Sequence, residues 1–129
     1  IEELLNSIKR NNIKNKEIIV VDDGSNDDTK EILKKFKNSI KYIYIQKSGV
    51  AKARNVGIKN SNGSLIFFFD GDVILKKNTL KIFINSFKKN KSLNILQGHW
   101  NKTYREKANF ITNHILLKVN QNFVIIKQQ

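Results

Sequence analysis

The hydrophobic pattern changes repeatedly between helical and strand-like spacing along the chain. Apolar residues within positions 1–8 recur at i, i+3, i+4 and i+7, which predicts an amphipathic helix that ends near residues 11–12. Residues 17–21 and 40–45 are rich in branched and aromatic side chains, which predicts two short strands. Residues 65–69, Leu-Ile-Phe-Phe-Phe, predict the most hydrophobic strand of the chain.

Further helices are predicted after these strands, so that helix and strand alternate. Polar and acidic residues at 25–28 offer side-chain caps to a helix that carries apolar residues at 32, 33 and 36. The remaining predictions are helices over 50–58, 80–87 and 110–118 and short strands over 93–96 and 123–126. This alternation predicts one α/β domain over residues 1–129, built on a mainly parallel sheet.

Carboxylates directly follow two of the predicted strands. The strand over 17–21 runs into Asp22 and Asp23, and the strand over 65–69 runs into Asp70, Gly71 and Asp72. Ligands of open parallel sheets bind at the carboxyl ends of the strands, so we expect both acidic clusters at one edge. Three to four carboxylates in one cleft repel each other unless a cation or hydrogen-bond donors lie between them, and hard divalent cations meet that need.

Basic residues lie between the two acidic clusters in the sequence. Lys47, Lys52 and Arg54 surround a predicted helix start at Gly49. Backbone N–H groups at a helix start bind anions, and the arginine fork matches phosphate oxygens. The pattern therefore indicates a site for a metal ion and a diphosphate, with a nucleoside near Asp22 and Asp23.

The composition of the chain excludes several classes of protein and of functional site. The chain has no Cys, which excludes disulfide scaffolds and thiol nucleophiles, and its apolar runs are too short to span a membrane, so a soluble cytoplasmic domain is expected. The net charge of +13 suggests a polyanion, but an abundance of Lys, Asn and Ile also follows from AT-rich coding sequence. Between Ile32 and Tyr104 the carboxylates are Asp70 and Asp72 alone, which favours a functional role over a simple turn.

Three segments together resemble a known family. The segments are Glu-Ile-Ile-Val-Val-Asp-Asp-Gly-Ser-Asn-Asp-Asp-Thr over 17–29, Ser-Gly-Val-Ala-Lys-Ala-Arg-Asn-Val-Gly over 48–57 and Phe-Phe-Phe-Asp-Gly-Asp-Val over 67–73. In order and spacing they resemble the nucleotide-sugar motifs of family 2 glycosyltransferases, and the resemblance extends to about residue 100. It implies a GT-A, Rossmann-like fold of three α/β/α layers and an inverting, metal-dependent transfer from a nucleoside-diphosphate sugar, with a UDP-sugar favoured.

The resemblance also implies roles for individual residues. Asp23 would contact the nucleobase or ribose, with Asp22 supporting its loop, and Arg54 would lie near the base or the diphosphate. Asp70 would point toward the ribose and the metal, and Asp72 toward a Mg²⁺ or Mn²⁺ ion that bridges the phosphates. The full set of implied nucleotide-sugar-binding residues is Asp22, Asp23, Gly24, Ser25, Lys52, Arg54, Asp70 and Gly71, and the implied metal ligands are Asp72 and Asp70.

The sequence departs from the family pattern in ways that set further expectations. Val73 stands where many members have another acid, and Glu106, the acid that follows Asp72, has no base motif around it. The chain starts at Ile1 inside the first helix, whereas members begin with a strand. We therefore expect a partial domain, truncated at both ends, with the catalytic base beyond Gln129 and with unpaired edges beside the place of a missing central strand.

Within this partial domain, residues 17–73 would carry the sugar-donor motifs, and residues 98–129 would begin the acceptor side. The acceptor would be a glycan or a lipid-linked saccharide, used in cell-envelope polysaccharide synthesis. We expect the full-length protein in the cytoplasm or peripheral at the inner face of the membrane. No nucleic-acid partner is expected.

Two other classes of function remain as alternatives. A phosphorelay receiver domain also has an acid pair after one strand and an acceptor Asp after another, for which Asp70 would serve. A helix before the first acidic strand and the presence of Asp72 argue against it. The second alternative is a basic nucleic-acid-binding module. Against it, the sequence does not interleave aromatic residues on a charged face. His99 and Trp100 suggest acceptor contacts, but a Trp near a strand end is more often a packing residue.

Overall fold

The structure is a computed structural model that describes residues 1–98 and the backbone of a strand over 122–128. Within these ranges helices and strands alternate, as the sequence predicts. The helices are α1 (Glu2–Arg10), α2 (Thr29–Lys34), α3 (Val50–Lys59) and α4 (Thr79–Lys89), and the strands are β1 (Lys16–Asp23), β2 (Lys41–Ile45), β3 (Leu65–Asp70) and β4 (Asn122–Gln128).

The four strands form one sheet in the order β2-β1-β4-β3. β1 and β2 pair in parallel, and β4 runs antiparallel to both β1 and β3. It follows that β1, β2 and β3 all point the same way and end at the same edge. The prediction of a mainly parallel sheet is confirmed.

Helices cover both faces of this sheet because β1 is apolar on both sides. Ile18 and Val20 face one side, and Ile19 and Val21 face the other. The second pair packs with Ala53 of α3. The first pair belongs to a larger core with residues of the other three helices, among them Leu4, Ile8, Leu33, Leu80 and Ile84. The fold is therefore the three-layer α/β/α arrangement expected from the sequence.

One predicted strand is wrong, and other predictions lie outside the described residues. The segment 93–96 has no strand geometry, and Ile95 is 84% exposed. A run of four residues with an Asn inside it buries too little apolar surface to join the sheet. The helix predicted over 110–118 and the interpretation of His99 and Trp100 lie outside the described residues, whereas the strand predicted over 123–126 is confirmed as β4.

The expectation of unpaired edges in the middle of the sheet is also wrong. β4 lies between β1 and β3 and pairs with both, for example Val20 with Val124 and Phe69 with Val124. Because a strand from residues 122–128 occupies this central position, the backbone groups of β1 and β3 that face it have hydrogen-bonding partners.

Two isoleucines of α4 test the orientation of that helix. Ile84 is 6% exposed in the core, whereas Ile82, on the same helix, is 62% exposed. We expect Ile84→Ala to lower the free energy of unfolding by about 2–4 kcal/mol because it leaves a cavity. Ile82→Ala is the matched control and should change it by less than about 0.5 kcal/mol. Urea denaturation followed by circular dichroism measures both, and equal losses would contradict the orientation.

Candidate functional site

The topology brings the two acidic segments to one edge of the sheet, as predicted. Val21 of β1 and Asp70 of β3 are both in register with Phe123 of β4. They are therefore level with each other and two strand spacings apart, about 10 Å between backbones. Asp22, Asp23 and Asp72 lie directly beyond these positions in the chain. This edge is the candidate site.

The carboxylate of Asp23 connects β1 to the loop that leads into α3. Its Oδ1 accepts a hydrogen bond from the Ser48 N–H at 2.6 Å, and its Oδ2 accepts one from the Gly49 N–H at 2.8 Å. Gly49 begins the helix with a φ of +91°, and Asp23 is 4% exposed. Asp23 therefore fixes the start of α3, the helix that carries Lys52 and Arg54.

Asp22 points to the opposite face of the sheet because neighbouring side chains of a strand alternate. Its Oδ2 accepts a hydrogen bond from the Tyr42 hydroxyl at 2.7 Å, and its Oδ1 accepts one from the Ser25 N–H at 2.9 Å. Burial, followed by this bond to a carboxylate, raises the pKa of Tyr42 well above its usual value. Asp22, Ser25, Tyr42 and two neighbours, Lys30 and Tyr44, line a recess of about 340 Å³ on this face.

Gly24 allows the loop after β1 to lie against the loop after β2. It has a φ of +75°, and a Cβ atom there would lie 2.9 Å from the backbone N of Lys47. A side chain would therefore meet backbone that cannot move aside, in a conformation that already disfavours one. Gly24 and Asp23 together hold the 46–49 loop against the end of β1.

Arg54 and the carboxylates after β3 form a second group at the same edge. The Arg54 guanidinium lies 3.6 Å from Asp70 Oδ1 and 5.9 Å from the centre of the Phe68 ring. Burial raises the pKa of Asp70, the positive charge of Arg54 opposes that rise, and the neighbouring Asp72 adds to it. Asp70 is therefore a partly buried acid beside one cation and one other acid, and burial disfavours its ionised form.

The predicted site residues thus fall into separate groups. Asp23, Arg54 and Asp70 lie toward the α3 side, and the side chain of Lys52 is exposed on α3. Asp22 and Ser25 lie on the other side, and buried Gly71 joins Asp70 to exposed Asp72.

The expectation that three to four carboxylates face one cleft does not hold for Asp22, which points away from Asp23 and Asp70. In the part of the chain that the structure describes, no three His, Asp and Glu side chains are grouped as a metal site. The reason is that Asp22 and Asp23 point to opposite faces, where each is occupied by hydrogen-bond donors of the protein.

Some partners of these residues were not predicted from the sequence. Tyr42 pairs with Asp22, and Phe68 lies beside Arg54. For Tyr42 a signal exists, since period-two spacing places alternate residues of β2 on the face of Val20. For Phe68 the sequence contains no such signal. Residues 67–69 are all Phe, so the pattern does not show which ring lies in the core and which lies at the site.

The model of the family described as Glycosyl transferase family 2 matches residues 1–125. Among curated proteins, an uncharacterized glycosyltransferase of Rickettsia conorii is 41% identical over 91 residues, which cover 68% of this chain and 15% of that protein. Another from Rickettsia felis is 36% identical over 113 residues, which cover 84% of this chain and 18% of the relative.

A relative with a named product is the poly-beta-1,6-N-acetyl-D-glucosamine synthase of Staphylococcus aureus. It is 30% identical over 114 residues, which cover 86% of this chain and 27% of the synthase. The chain thus spans between 15% and 27% of the length of these relatives. No solved structure gave a significant match. Within the described residues, every helix is too short or too polar to cross a membrane.

The two hydrogen bonds of Asp23 generate a stability prediction. We expect Asp23→Ala to lower the free energy of unfolding by about 2–4 kcal/mol, because two backbone N–H groups lose a charged acceptor. Asp28→Ala is the control, because Asp28 is exposed and its side chain makes no capping hydrogen bond to α2, and it should change the free energy of unfolding by less than about 0.5 kcal/mol. An Asp23→Ala protein as stable as the unaltered chain would show that the loop needs no anchor.

The raised pKa of Asp70 generates a pH-dependent prediction. A carboxyl group with a higher pKa in the folded state favours folding at low pH, and that contribution is lost as the pH rises through the folded-state pKa. We therefore expect Asp70→Asn to raise the thermal midpoint at pH 7, with the gain shrinking as the pH falls toward about 4. Glu3→Gln, exposed on α1, is the control. A lower midpoint at pH 7 would mean that the Arg54 pairing outweighs burial.

Proposed function

This chain belongs to glycosyl transferase family 2, and from that premise we propose that it binds the nucleoside-diphosphate sugar of a glycosyltransferase together with a divalent metal ion. The whole protein would transfer the sugar to a hydroxyl group of a glycan. The observation that carries the proposal is the grouping of Arg54, Asp70 and Asp72 at the carboxyl edge of the sheet, beside the start of α3.

The phosphates of the sugar donor would lie between α3 and the end of β3. Arg54 is 32% exposed at its side chain, so its guanidinium is held by the protein and still reaches solvent. Lys52 adds a second, exposed cation on the same helix. The arginine fork provides directional hydrogen bonds to the phosphates, and Lys52 adds positive charge near the start of the same helix.

The residues present fit a Mg²⁺ or Mn²⁺ ion. Asp70 and Asp72 are close enough for Asp72 to raise the pKa of Asp70, and such neighbours are stabilised when a cation lies between them. Mg²⁺ in nucleotide sites is commonly held by one or two carboxylates together with substrate phosphates, so this pair suffices without a third acid. When bound, the metal would neutralise charge on the nucleoside diphosphate as it leaves.

The nucleoside would lie toward the end of β1. The hydrogen bonds from Ser48 and Gly49 hold the Asp23 carboxylate in one orientation. Each of its oxygens keeps one lone pair that a ligand can use. We propose Asp23 as the contact to the base or ribose and Asp22, Gly24 and Ser25 as the residues that shape this loop. UDP is the nucleotide that we propose.

The acceptor side is proposed from the relatives alone. The Staphylococcus aureus relative is named poly-beta-1,6-N-acetyl-D-glucosamine synthase, which supports a glycan acceptor and a role in envelope polysaccharide synthesis. Transfer with inversion, a lipid-linked acceptor and a position at the inner face of the membrane belong to the same proposal.

The phosphorelay alternative is not favoured. The glycosyltransferase family model covers nearly the whole chain, including both acidic segments. In addition, Asp70 has a cation beside it and a raised pKa, and Asp72 has no place in that alternative. Labelling of Asp70 by acetyl phosphate would favour the receiver function instead.

Calorimetric titration with UDP, GDP and CDP, each with and without Mn²⁺, tests the proposed function. We expect UDP to bind about tenfold more tightly when Mn²⁺ is present, because the ion joins the diphosphate to Asp70 and Asp72. Asp72→Asn should remove most of that gain, since a neutral amide is a weaker ligand for a hard cation.

Asp28→Asn is the matched control, because Asp28 is exposed and lies before α2 on another part of the surface. It should keep the Mn²⁺-dependent gain in UDP affinity. If folded Asp72→Asn protein keeps the same gain, Asp72 is not a metal ligand. If no nucleoside diphosphate binds the unaltered chain, the proposed function itself fails.

A further inference from the structure

Asn11 ties the end of α1 to the segment that follows Asp72. Its Nδ2 donates to the Lys76 carbonyl at 3.1 Å and to the Ser7 carbonyl at 2.9 Å, and its Oδ1 accepts from the Leu80 N–H at 3.2 Å. Asn11 is 7% exposed. Two carbonyls on one side and one N–H on the other determine which end of the amide is which.

Ser7, one helical turn before Asn11, makes a second connection to the same segment. Its Oγ donates to the Leu4 carbonyl at 2.7 Å and accepts from the Leu75 N–H at 3.0 Å. Ser7 is fully buried. The backbone at 75, 76 and 80 is thus held by two polar side chains, Ser7 in α1 and Asn11 directly after it.

The hydrogen bonds of Asn11 supply the cap that the residues at the start of α4 do not provide. Asn78, the residue before α4, has a φ of +66°, and its side chain makes no capping hydrogen bond within the described part of the chain. A helix start leaves several backbone N–H groups without helical partners, and a buried one is costly. Asn11 therefore caps α4 from another helix.

The anchored segment fixes the backbone on the C-terminal side of Asp72. Val73 and Leu75 are buried in the same core cluster as Leu4 and Ile8 of α1. The Val73 N–H donates to the Asp70 carbonyl at 3.1 Å, which closes a turn around Asp72. Asp72 itself is exposed, so its position depends on the residues at either side of this turn.

We propose that Asn11 and Ser7 are positioning residues that hold the Asp70–Val73 turn, and with it the Asp72 carboxylate, in the geometry that metal-dependent binding of the sugar donor requires. The functional part of this inference rests on the proposed function. The structural reason is that Asp72 is exposed, whereas the backbone after it is anchored to α1 at three positions. Ligand geometry around a metal is sensitive to such supporting contacts.

Asn11→Asp tests the inference with little change in size. It keeps an oxygen for the Leu80 N–H but replaces the Nδ2 donor with an oxygen that faces the carbonyls of Ser7 and Lys76. Asn60→Asp is the matched control, because Asn60 Nδ2 donates to the Val56 carbonyl at 2.9 Å at the end of α3, in the same i−4 relation. Both variants change the net charge equally.

Two measurements on these proteins are decisive. In amide hydrogen exchange by NMR, we expect Asn11→Asp to speed exchange at positions 71–73 by about tenfold and Asn60→Asp to leave it within about twofold. In Mn²⁺ titrations followed by electron paramagnetic resonance with UDP present, Asn11→Asp should weaken Mn²⁺ affinity by about tenfold. The affinity for UDP without Mn²⁺ should stay within about twofold, which a general loss of structure would not allow.

The opposite results overturn the inference. Faster exchange confined to Leu80 and Lys76, or unchanged Mn²⁺ affinity in folded Asn11→Asp protein, would show that Asn11 only stabilises α4. If UDP binds the unaltered chain with no dependence on Mn²⁺, the proposed function fails, while the exchange rates at 71–73 still decide whether Asn11 holds the turn.

Should Asn11→Asp fail to fold, Ser7→Ala provides the same comparison. It removes the acceptor of the Leu75 N–H and leaves the bonds of Asn11. Its control is Ser61→Ala, since Ser61 Oγ donates to the Ile58 carbonyl at 2.7 Å, as Ser7 does to Leu4. Faster exchange at 71–73 in Ser7→Ala alone supports the inference, and equal exchange in both variants overturns it.

Discussion

Backbone N–H groups at the starts of α3 and α4 have no partners within their helices, and the structure pairs them with side chains from distant parts of the sequence. Asp23, at the end of β1, accepts from Ser48 and Gly49 before α3. Asn11, at the end of α1, accepts from Leu80 in α4. In both places the residue at the helix start has a positive φ, so a local cap is replaced by one from another element.

This arrangement links the sheet edge to the helices that serve it. Asp23 fixes α3 and therefore Arg54, and Arg54 in turn lies beside Asp70. Asn11 fixes the segment that follows Asp72. The proposed phosphate and metal contacts are thus held by polar bonds that originate outside the site, which limits the freedom of an otherwise exposed edge.

Asp70 shows the energetic consequence of placing charge at such an edge. Burial raises its pKa, and Arg54 compensates in part. A chain selected for stability alone would have a neutral residue there, because isolated buried charge is unfavourable. Retaining an acid of raised pKa beside a second acid is consistent with a binding role, and it differs from Asp22 and Asp23, whose oxygens accept hydrogen bonds from N–H or O–H donors of the protein.

The sequence by itself determined the alternation of elements, the acids at the ends of β1 and β3 and the family, because periodicity and strand-end motifs are local properties of the chain. The tertiary structure alone decided which acids share a face, that Asp22 pairs with Tyr42, that β4 lies between β1 and β3, and that Asn11 caps α4. These features join residues that lie far apart in the chain, 69 positions for Asn11 and Leu80 and more for β1 and β4, and single-sequence periodicity contains no signal for such contacts. The strand predicted over 93–96 failed for the same physical reason, since only the packed molecule decides whether a short apolar run finds a partner.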